Sequence, residues 1–302
     1  MLLPDMKNAL FVCLVQVCFL SACTSSESNR LDTSKADAVA YALDYAEIDE
    51  ASGLAASVVN KGMLWIHNDS GDEARIFLID SLGRLQMTVY LDGVIHRDWE
   101  DIAVGEGPEK GKAYIYIGEI GDNFSRHEYK YIYRIEEPVY SGKELTVKKV
   151  DIITFAIPGG SRDAEALMID PRTKDLYIFS KGQKAILYRL PYPHSTRDVI
   201  MAEQVYKDIP LRKVVAADWS PTGNEILVKT HRRIHYYNVL EGEPLRELLN
   251  PKPPALRYVR EPQGEGIAYA RNGRSYYSVG ERAKGYIPEL VYYPRLPEQQ
   301  EK

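Results

Sequence analysis

The sequence predicts an all-β protein, specifically a β-propeller of repeated four-stranded blades, on the basis of three observations. The 302-residue chain contains 22 tyrosines and 21 glycines, which favour strands and turns respectively. No segment has the long 3.6-residue periodicity of an amphipathic helix. A short motif also recurs at intervals of 48, 65, 52 and 48 residues, close to the ~40–50 residues of a propeller blade.

The recurring motif begins with two acidic or small residues and continues with apolar or small ones. Its five copies are Ser52–Ala55, Glu100–Ala103, Glu165–Met168, Ala217–Ser220 and Glu265–Ala268. We expect each copy to form the first strand of a blade, which lines the central channel. Equivalent positions in the five copies should then face one common axis.

Each interval contains the remaining strands of its blade, separated by Gly, Pro, Asn and Asp residues that favour turns. In chain order these predicted strands are Met63–His67, Arg75–Asp80, Arg84–Leu91, Ala113–Gly118, Lys130–Ile135, Lys148–Ile157, Asp175–Ser180, Ala185–Leu190, Glu203–Ile209, Glu225–Thr230, Arg233–Val239, Leu245–Leu249, Arg274–Val279 and Glu289–Tyr293.

The fifth unit lacks an outer strand, and residues 38–48 are expected to supply it from the N-terminal side. That pairing would close the ring and cover a sheet edge. The prediction is therefore five blades. A sixth blade stays open because the 65-residue interval has room for extra strands, and a β-sandwich is the alternative architecture.

The N-terminal segment is expected to be an export signal. An apolar run over residues 9–22 follows Lys7 and ends in Leu20-Ser21-Ala22-Cys23, which resembles a bacterial lipobox. A plain secretory signal is the alternative. The predicted organisation is a signal peptide over residues 1–22, an acylated Cys23 with a flexible tether over residues 23–37, and a propeller domain over residues 38–302.

The predicted location is the cell envelope. Thr24 rather than Asp follows the cysteine, and by resemblance to Gram-negative lipoproteins this favours the outer membrane, facing the periplasm. The other two cysteines lie inside the predicted signal, so we expect no disulfide. The chain has 38 basic and 43 acidic residues and a net charge of -5, which argues against a nucleic-acid partner. A monomer is expected.

Propeller topology predicts which loops meet at one mouth of the channel. In a four-stranded blade, the loop entering strand 1 and the loop joining strands 2 and 3 lie at the same end. Polar and charged residues of these loops form the predicted ligand-binding mouth. They are Asp69, Asp72, Asp98, Glu119, Asp122, Asn123, Asp163, Lys181, Lys229, His231 and Arg282.

The axial positions of strand 1 predict a cation site. Four of the five carry oxygen ligands, namely Ser52, Glu100, Glu165 and Glu265, while the fourth blade has Ala217. Carboxylates on one axis repel each other, and burying unpaired charges is costly. Oxygen ligands without His or Cys favour Ca²⁺. The alternative is that these side chains cap loop amides at the channel rim.

Several motifs carry a resemblance to known proteins. Glu50–Leu54, Asn68–Gly71, Asp98–Ala103, Gly118–Asn123 and Asp163–Leu167 resemble a family of uncharacterised bacterial β-propeller lipoproteins. More distantly, the axial Ser, Glu, Glu, Glu series resembles calcium-activated apyrases, which are five-bladed nucleotidases, and phytase-like propellers. This resemblance implies calcium in the channel, held by the four axial residues.

Two functions follow from these features. The first is a binding module that presents its mouth to a small molecule, a glycan or a protein. The second is a calcium-dependent phosphoester hydrolase in which Lys181, Lys229, His231 or Arg282 neutralises charge. The chain has no P-loop and no Gly-x-Ser-x-Gly motif. The incomplete axial ring and the lack of a nucleophile motif favour the binding module.

Overall fold

The computed structural model describes residues 38–283 and 285–294, and the structural statements below refer to this part of the chain. It is an all-β structure with one short helix. In chain order the elements are β1 (Val39–Ala42), β2 (Ala51–Ala56), β3 (Met63–Asn68), β4 (Arg75–Asp80), β5 (Leu85–Leu91), β6 (Trp99–Glu106), β7 (Ala113–Glu119), β8 (Tyr129–Glu136), β9 (Glu144–Val147), β10 (Asp151–Ala156), β11 (Ala164–Ile169), β12 (Leu176–Ser180), β13 (Ala185–Leu190), β14 (Ile200–Met201), β15 (Glu203–Ile209), β16 (Val214–Trp219), β17 (Glu225–Thr230), β18 (Arg233–Asn238), α1 (Leu245–Leu248), β19 (Gly264–Tyr269), β20 (Tyr276–Gly280) and β21 (Glu289–Tyr293).

The strands form five sheets around a common axis, which confirms the five-bladed propeller. Blade 1 is β2-β3-β4-β5, blade 2 is β6-β7-β8-β10, blade 3 is β11-β12-β13-β15, blade 4 is β16-β17-β18 and blade 5 is β19-β20-β21-β1. The predicted closure is also confirmed, because β1 pairs antiparallel with β21 and places Val39 opposite Tyr292. The first and last strands of the described chain therefore belong to one blade.

The long second interval holds an extra strand but no sixth blade among the described residues. Strand β9 leaves blade 2 and pairs in parallel with β5, at the outer edge of blade 1. The short strand β14 does the same for blade 2, pairing in parallel with β10. Each of these two strands therefore covers the outer edge of the preceding blade, where unpaired N–H and C=O groups would otherwise be exposed.

The predicted strand Leu245–Leu249 is wrong. Residues 245–248 form the helix α1, which follows Pro244 and buries Leu248 and Leu249 against blades 3 and 4. The outer edge of β18 is covered by a later segment instead. The amide of Tyr236 donates to the carbonyl of Pro254, and the amide of Leu256 donates to Ile234. Prolines in this segment cannot donate to a ladder, so the pairing stays short.

The apolar core lies between neighbouring blades and around the inner strands. Every residue of β2, β11 and β19 is buried, and these strands consist mainly of Ala, Gly, Leu and Ile. Small side chains are required because five inner strands converge on one axis. Larger residues fill the wider space between blades, as Trp65 and Trp99 do between blades 1 and 2.

A buried carboxylate connects three inner strands. Asp101, on β6, has no exposed surface, and its oxygens accept hydrogen bonds from the amides of Ile102 (2.9 Å), Leu167 (2.9 Å) and Ala217 (3.2 Å). Leu167 and Ala217 belong to blades 3 and 4. Burial raises the pKa of Asp101 well above its ordinary value, while the three amides lower it. One side chain therefore links blades 2, 3 and 4 near the axis.

Other polar contacts connect the remaining blades. The hydroxyl of Ser52 donates to the carbonyl of Glu100 at 2.6 Å, which joins blades 1 and 2. The carboxylate of Asp218 accepts from the amide of Tyr269 at 2.7 Å, which joins blades 4 and 5. Gly266 of blade 5 lies so close to the Ser52 carbonyl that a Cβ would collide with it.

The Asp101 contacts generate a stability prediction. Asp101→Ala leaves three buried amides without an acceptor, and each costs about 1–3 kcal/mol, so we expect a loss of at least about 3 kcal/mol. Urea unfolding followed by circular dichroism measures this loss. Asp101→Asn retains one acceptor oxygen, so its free energy of unfolding should lie between those of the wild-type protein and Asp101→Ala. Glu109→Ala, an exposed control, should leave the unfolding midpoint unchanged. Equal midpoints for Asp101→Ala and this control would contradict the link.

Candidate functional site

A cleft of ≈ 950 Å³ opens at the predicted mouth of the channel. We call it the mouth cleft. Its walls come from the loops between strands 2 and 3 and from the connections that enter strand 1. Its lining residues are Asp69, Glu100, Asn123, Glu165, Lys181, Pro210, Leu211, Arg212, Lys213, Thr230, His231, Arg232, Arg233, His235, Lys252, Arg260, Glu261, Pro262, Gln263, Glu265 and Glu281.

Five carboxylates gather on the side of blades 1, 2 and 3. The ligand oxygens of Asp69, Asp98 and Glu100 lie within 4.8 Å of one another, and so do those of Glu100, Asp163 and Glu165. We call these five residues the carboxylate floor. Asp98 and Glu100 lie two residues apart where the chain enters β6, at a register shift in its pairing with β7. The same spacing brings Asp163 beside Glu165.

Glu100 belongs to both groups of three and has no partner of its own. Its side chain is 6% exposed, yet within the described residues its carboxylate accepts no hydrogen bond and forms no ion pair. Gly121 closes over it, since a Cβ at this position would collide with the carboxylates of Glu100 and Asp98. Lys181 attracts Glu100 but is paired with Glu165, and a buried carboxylate without its own partner is costly, so this position favours a further positive charge.

Burial and mutual repulsion raise the pKa values of several of these carboxyl groups. Burial, followed by repulsion from Asp98 and Glu265, raises the pKa of Asp69 to about 7. Burial raises the pKa of Glu165 to about 8, although its ion pair with Lys181 opposes the shift. Burial, followed by repulsion from Glu165, raises the pKa of Glu100 well above its ordinary value. A cation bound here would favour the charged carboxylates and so lower these pKa values.

The four predicted axial ligands separate into two pairs. Glu100 and Glu165 lie in the carboxylate floor. Ser52 instead donates to the Glu100 carbonyl at 2.6 Å, which is neither metal ligation nor the capping of a loop amide. Glu265 lines the mouth cleft but pairs with His231, whose Nδ1 lies 3.2 Å from the Glu265 carboxylate. Asp69, Asp98 and Asp163, expected only as mouth residues, complete the two groups of three.

Several predicted mouth residues hold the loops together. Asp122 is buried, accepts from two amides of its own loop and pairs with Lys130 at 3.1 Å, while its amide donates to Asp163 at 2.7 Å. Glu119 accepts from the amides of Arg97 and Asp98. Asp72 pairs with Arg75 at 2.7 Å. Asn123 lines the cleft.

The predicted cationic mouth residues occupy different environments. Lys181 lines the mouth cleft and pairs with Glu165. Lys229 is fully buried and donates to Glu261 (2.6 Å) and to two carbonyls of blade 5, so it serves the joint between blades 4 and 5. Arg282 lies 3.7 Å from Asp44 and does not line the cleft.

Sequence reasoning missed part of the cleft wall. Glu281 lines it, and burial raises the pKa of Glu281 to about 8. Several cations of the connections that enter blades 4 and 5 also line it, namely Arg212, Lys213, Lys252 and Arg260. The topological rule that identified Asp98 and Asp163 covers these connections too. The connection into blade 5 is long and rich in proline, which obscured its register.

The donor set of the carboxylate floor suits a hard divalent cation. All its ligand atoms are carboxylate oxygens, which Ca²⁺ and Mg²⁺ prefer over nitrogen or sulfur ligands. No histidine takes part in either group of three that the described residues form. The floor could hold one cation, or two if Glu100 bridges them.

Comparison with known proteins supports the fold and leaves the activity open. No protein-family model matches the chain, and no curated protein matches it either. A luciferin-regenerating enzyme matches with a TM-score of 0.51 and 10% identity, over 87% of this chain and 96% of the other. A nidogen/laminin complex matches with a TM-score of 0.45 and 13% identity, over 77% of this chain and 73% of the other.

No helix in the part of the chain that the structure describes is long and apolar enough to cross a bilayer.

The raised pKa values predict a pH effect on the metal-free protein. Carboxyls with raised pKa values keep protons in the folded state that the unfolded state releases, so stability falls as pH rises toward about 8. Buried His67, His194 and His235 act in the opposite direction, because burial lowers their pKa values from 6.5 to about 4. Their contribution builds up mainly between about pH 4 and pH 6.5 and is nearly complete about one pH unit above that.

The melting temperature in chelator should therefore fall between pH 6.5 and pH 8. Glu165→Gln removes one of the titrating groups and should make this fall smaller. Differential scanning calorimetry across the range measures both effects. A melting temperature that rises over this interval would contradict the assignment of buried, protonated carboxyls to the floor.

Proposed function

We propose that the protein is a cation-dependent ligand-binding module whose metal site is the carboxylate floor. The observation that carries the proposal is Glu100, which is buried, unpaired and common to both groups of three carboxylates. Ca²⁺ is the proposed cation, since it accepts six to eight oxygen ligands and tolerates irregular geometry. Glu100 would be the central ligand, with Asp98 and Glu165 on either side.

The surroundings of the floor support ligand binding above the cation. The floor forms one side of a ≈ 950 Å³ cleft, a volume within the ~300–1,000 Å³ common for small-molecule sites. Carboxylates, cations and amides all face this cleft, so a ligand could contact the metal and the protein together. The proposed ligand is a small molecule or the exposed part of a larger one.

Hydrolysis of a phosphoester is the second candidate function. It is favoured by Asp69, whose pKa of about 7 suits proton transfer at neutral pH, and by Lys181, which could neutralise a phosphoryl group in the same cleft. A cation on the floor would polarise a phosphoryl oxygen. Calcium-dependent release of phosphate from a phosphoester panel would favour this function, and binding without release would favour the module.

Calcium should stabilise the protein through the floor. A ligand that binds only the folded state adds ~2.7 kcal/mol at a hundredfold excess over its Kd, so calcium should raise the melting temperature by several degrees. Glu100→Gln should abolish this rise and leave the metal-free protein at least as stable, because a buried repelling charge is removed. Isothermal titration calorimetry should show the same loss of calcium binding.

Glu109→Gln is the matched control, because it alters an exposed glutamate away from the cleft. It should retain the full calcium response. If calcium and magnesium leave the melting temperature of the wild-type protein unchanged, the floor is a structural cluster and the proposed function is incorrect.

The proposed location is the outer membrane, with the protein anchored by lipid on Cys23. Residues 1–37 lie outside the described residues, so this part rests on the sequence Leu20-Ser21-Ala22-Cys23 alone. A lipoprotein anchor carries more than one acyl chain, and two chains hold a protein stably at a bilayer. The mouth cleft would then meet its ligand in the periplasm.

Cys23→Ser should move the protein from the membrane fraction to the soluble fraction and abolish palmitate labelling. Cys18→Ser is the control, because Cys18 lies within the predicted signal peptide, and labelling should persist. Membrane retention of the Cys23→Ser protein in detergent-free lysates would contradict the anchor.

A further inference from the structure

Part of the wall of the mouth cleft is rich in exposed cations. Six exposed cations line it, contributed by three separate segments: Arg212 and Lys213 before blade 4, Arg232 and Arg233 between β17 and β18, and Lys252 and Arg260 before blade 5. We call them the basic wall. This concentration occurs in a chain whose net charge is -5, so the overall composition does not account for it.

The basic wall has no ion-pair partner among the described residues, although Glu261, Glu265 and Glu281 line the same cleft. None of its six side chains forms an ion pair or a side-chain hydrogen bond within residues 38–283 and 285–294. Arginines elsewhere on the propeller do pair, for example Arg134 with Asp151 and Arg189 with Glu203, both within 2.7 Å. Six unpaired cations around one cleft repel each other and attract anions from solution.

The buried side chain of His235 lies beside the basic wall. His235 lines the cleft, is 4% exposed and has a buried Nδ1 without a hydrogen-bond partner among the described residues. Its pKa is lowered to about 4, first by burial and then by Arg233 and Lys252. The imidazole, near the start of β18, is therefore neutral beside the basic wall.

We propose that the mouth cleft binds a small ligand that carries two or more phosphate groups, held by the basic wall. This inference rests on the proposed function, because it names the ligand of the same cleft. Four of the six wall residues are arginines, whose planar guanidinium matches two oxygens of one phosphate. Six cations from three segments exceed what one phosphate can engage, which favours several anionic groups.

The carboxylate floor adds a reason for phosphate. An anionic ligand that reaches Glu100 and Glu165 would be repelled unless a cation lies between them. Divalent cations commonly bind through one or two carboxylates together with substrate phosphates. A ligand with several phosphates can place one against the basic wall and share another with a cation on the floor. The cleft volume limits this ligand to small-molecule size.

Tripolyphosphate is the probe for this proposal. Its binding to the full-length chain is measured by isothermal titration calorimetry, first in metal-free buffer at low salt and then with Mg²⁺. Arg232→Gln/Arg233→Gln should lower the affinity at least about tenfold, as the loss of two charge-assisted contacts implies. Inorganic phosphate and citrate should bind at least about tenfold more weakly than tripolyphosphate.

The matched control is Arg197→Gln/Arg274→Gln, which removes two exposed arginines that lie outside the cleft. It should keep the wild-type affinity, and circular dichroism should show that both double variants are folded. Equal loss in the two double variants would overturn the proposal, because binding would then reflect overall charge. Citrate that binds as tightly as tripolyphosphate would overturn the assignment to phosphates.

The melting temperature with and without calcium distinguishes the failure of this proposal from the failure of the proposed function. Calcium stabilisation without any tripolyphosphate binding would overturn the ligand class and leave the cation site intact. Tripolyphosphate binding that depends on Arg232 and Arg233, in a protein that calcium does not stabilise, would support the ligand class and refute the cation-dependent module.

Discussion

Convergence of five inner strands on one axis is the constraint on which the rest of this structure depends. Backbone groups near the axis cannot reach water, so they need partners within the protein. Asp101 answers this need for blades 2, 3 and 4 by accepting three amides with one carboxylate. Ser52 joins blades 1 and 2 and Asp218 joins blades 4 and 5, each through a hydrogen bond to the backbone. The polar residues of the recurring motif are therefore part of what holds the blades in a ring.

The same constraint separates two adjacent acidic residues into opposite roles. Asp101 and Glu100 follow each other on β6 at a register shift in its pairing with β7, and their carboxylates meet different surroundings. Asp101 turns towards backbone amides and is fully satisfied, while Glu100 turns towards other carboxylates and is not. A buried acid with amide partners stabilises a fold, whereas a buried acid surrounded mainly by other carboxylates destabilises it. The second arrangement is characteristic of a site that is completed by a ligand.

Much of the fold could be predicted because each blade repeats one pattern of strands and turns. The spacing of the motif located all five inner strands, and the missing outer strand of blade 5 identified β1 as its replacement. The segment 245–249 was mistaken for a strand because Leu245, Leu248 and Leu249 read as a short apolar run, which periodicity alone cannot assign to strand or helix. Its conformation depends on packing against blade 3 and on the nearby prolines, neither of which a local pattern reveals.

Prediction of the site was less complete, because it depends on contacts between blades. The repeat places Ser52, Glu100 and Glu265 at equivalent axial positions, so the same role was predicted for all three. Their neighbours differ, because a carbonyl lies beside Ser52 and an imidazole beside Glu265. The basic wall illustrates the same limit, since its residues are separated by up to 48 positions in the sequence and meet only after blades 4 and 5 have closed. The carboxylate floor comes from blades 1, 2 and 3, whereas the basic wall comes from blade 4 and from the connections that enter blades 4 and 5. The floor and the basic wall form no ion pair with each other among the described residues, and the proposed cation and ligand would lie between them.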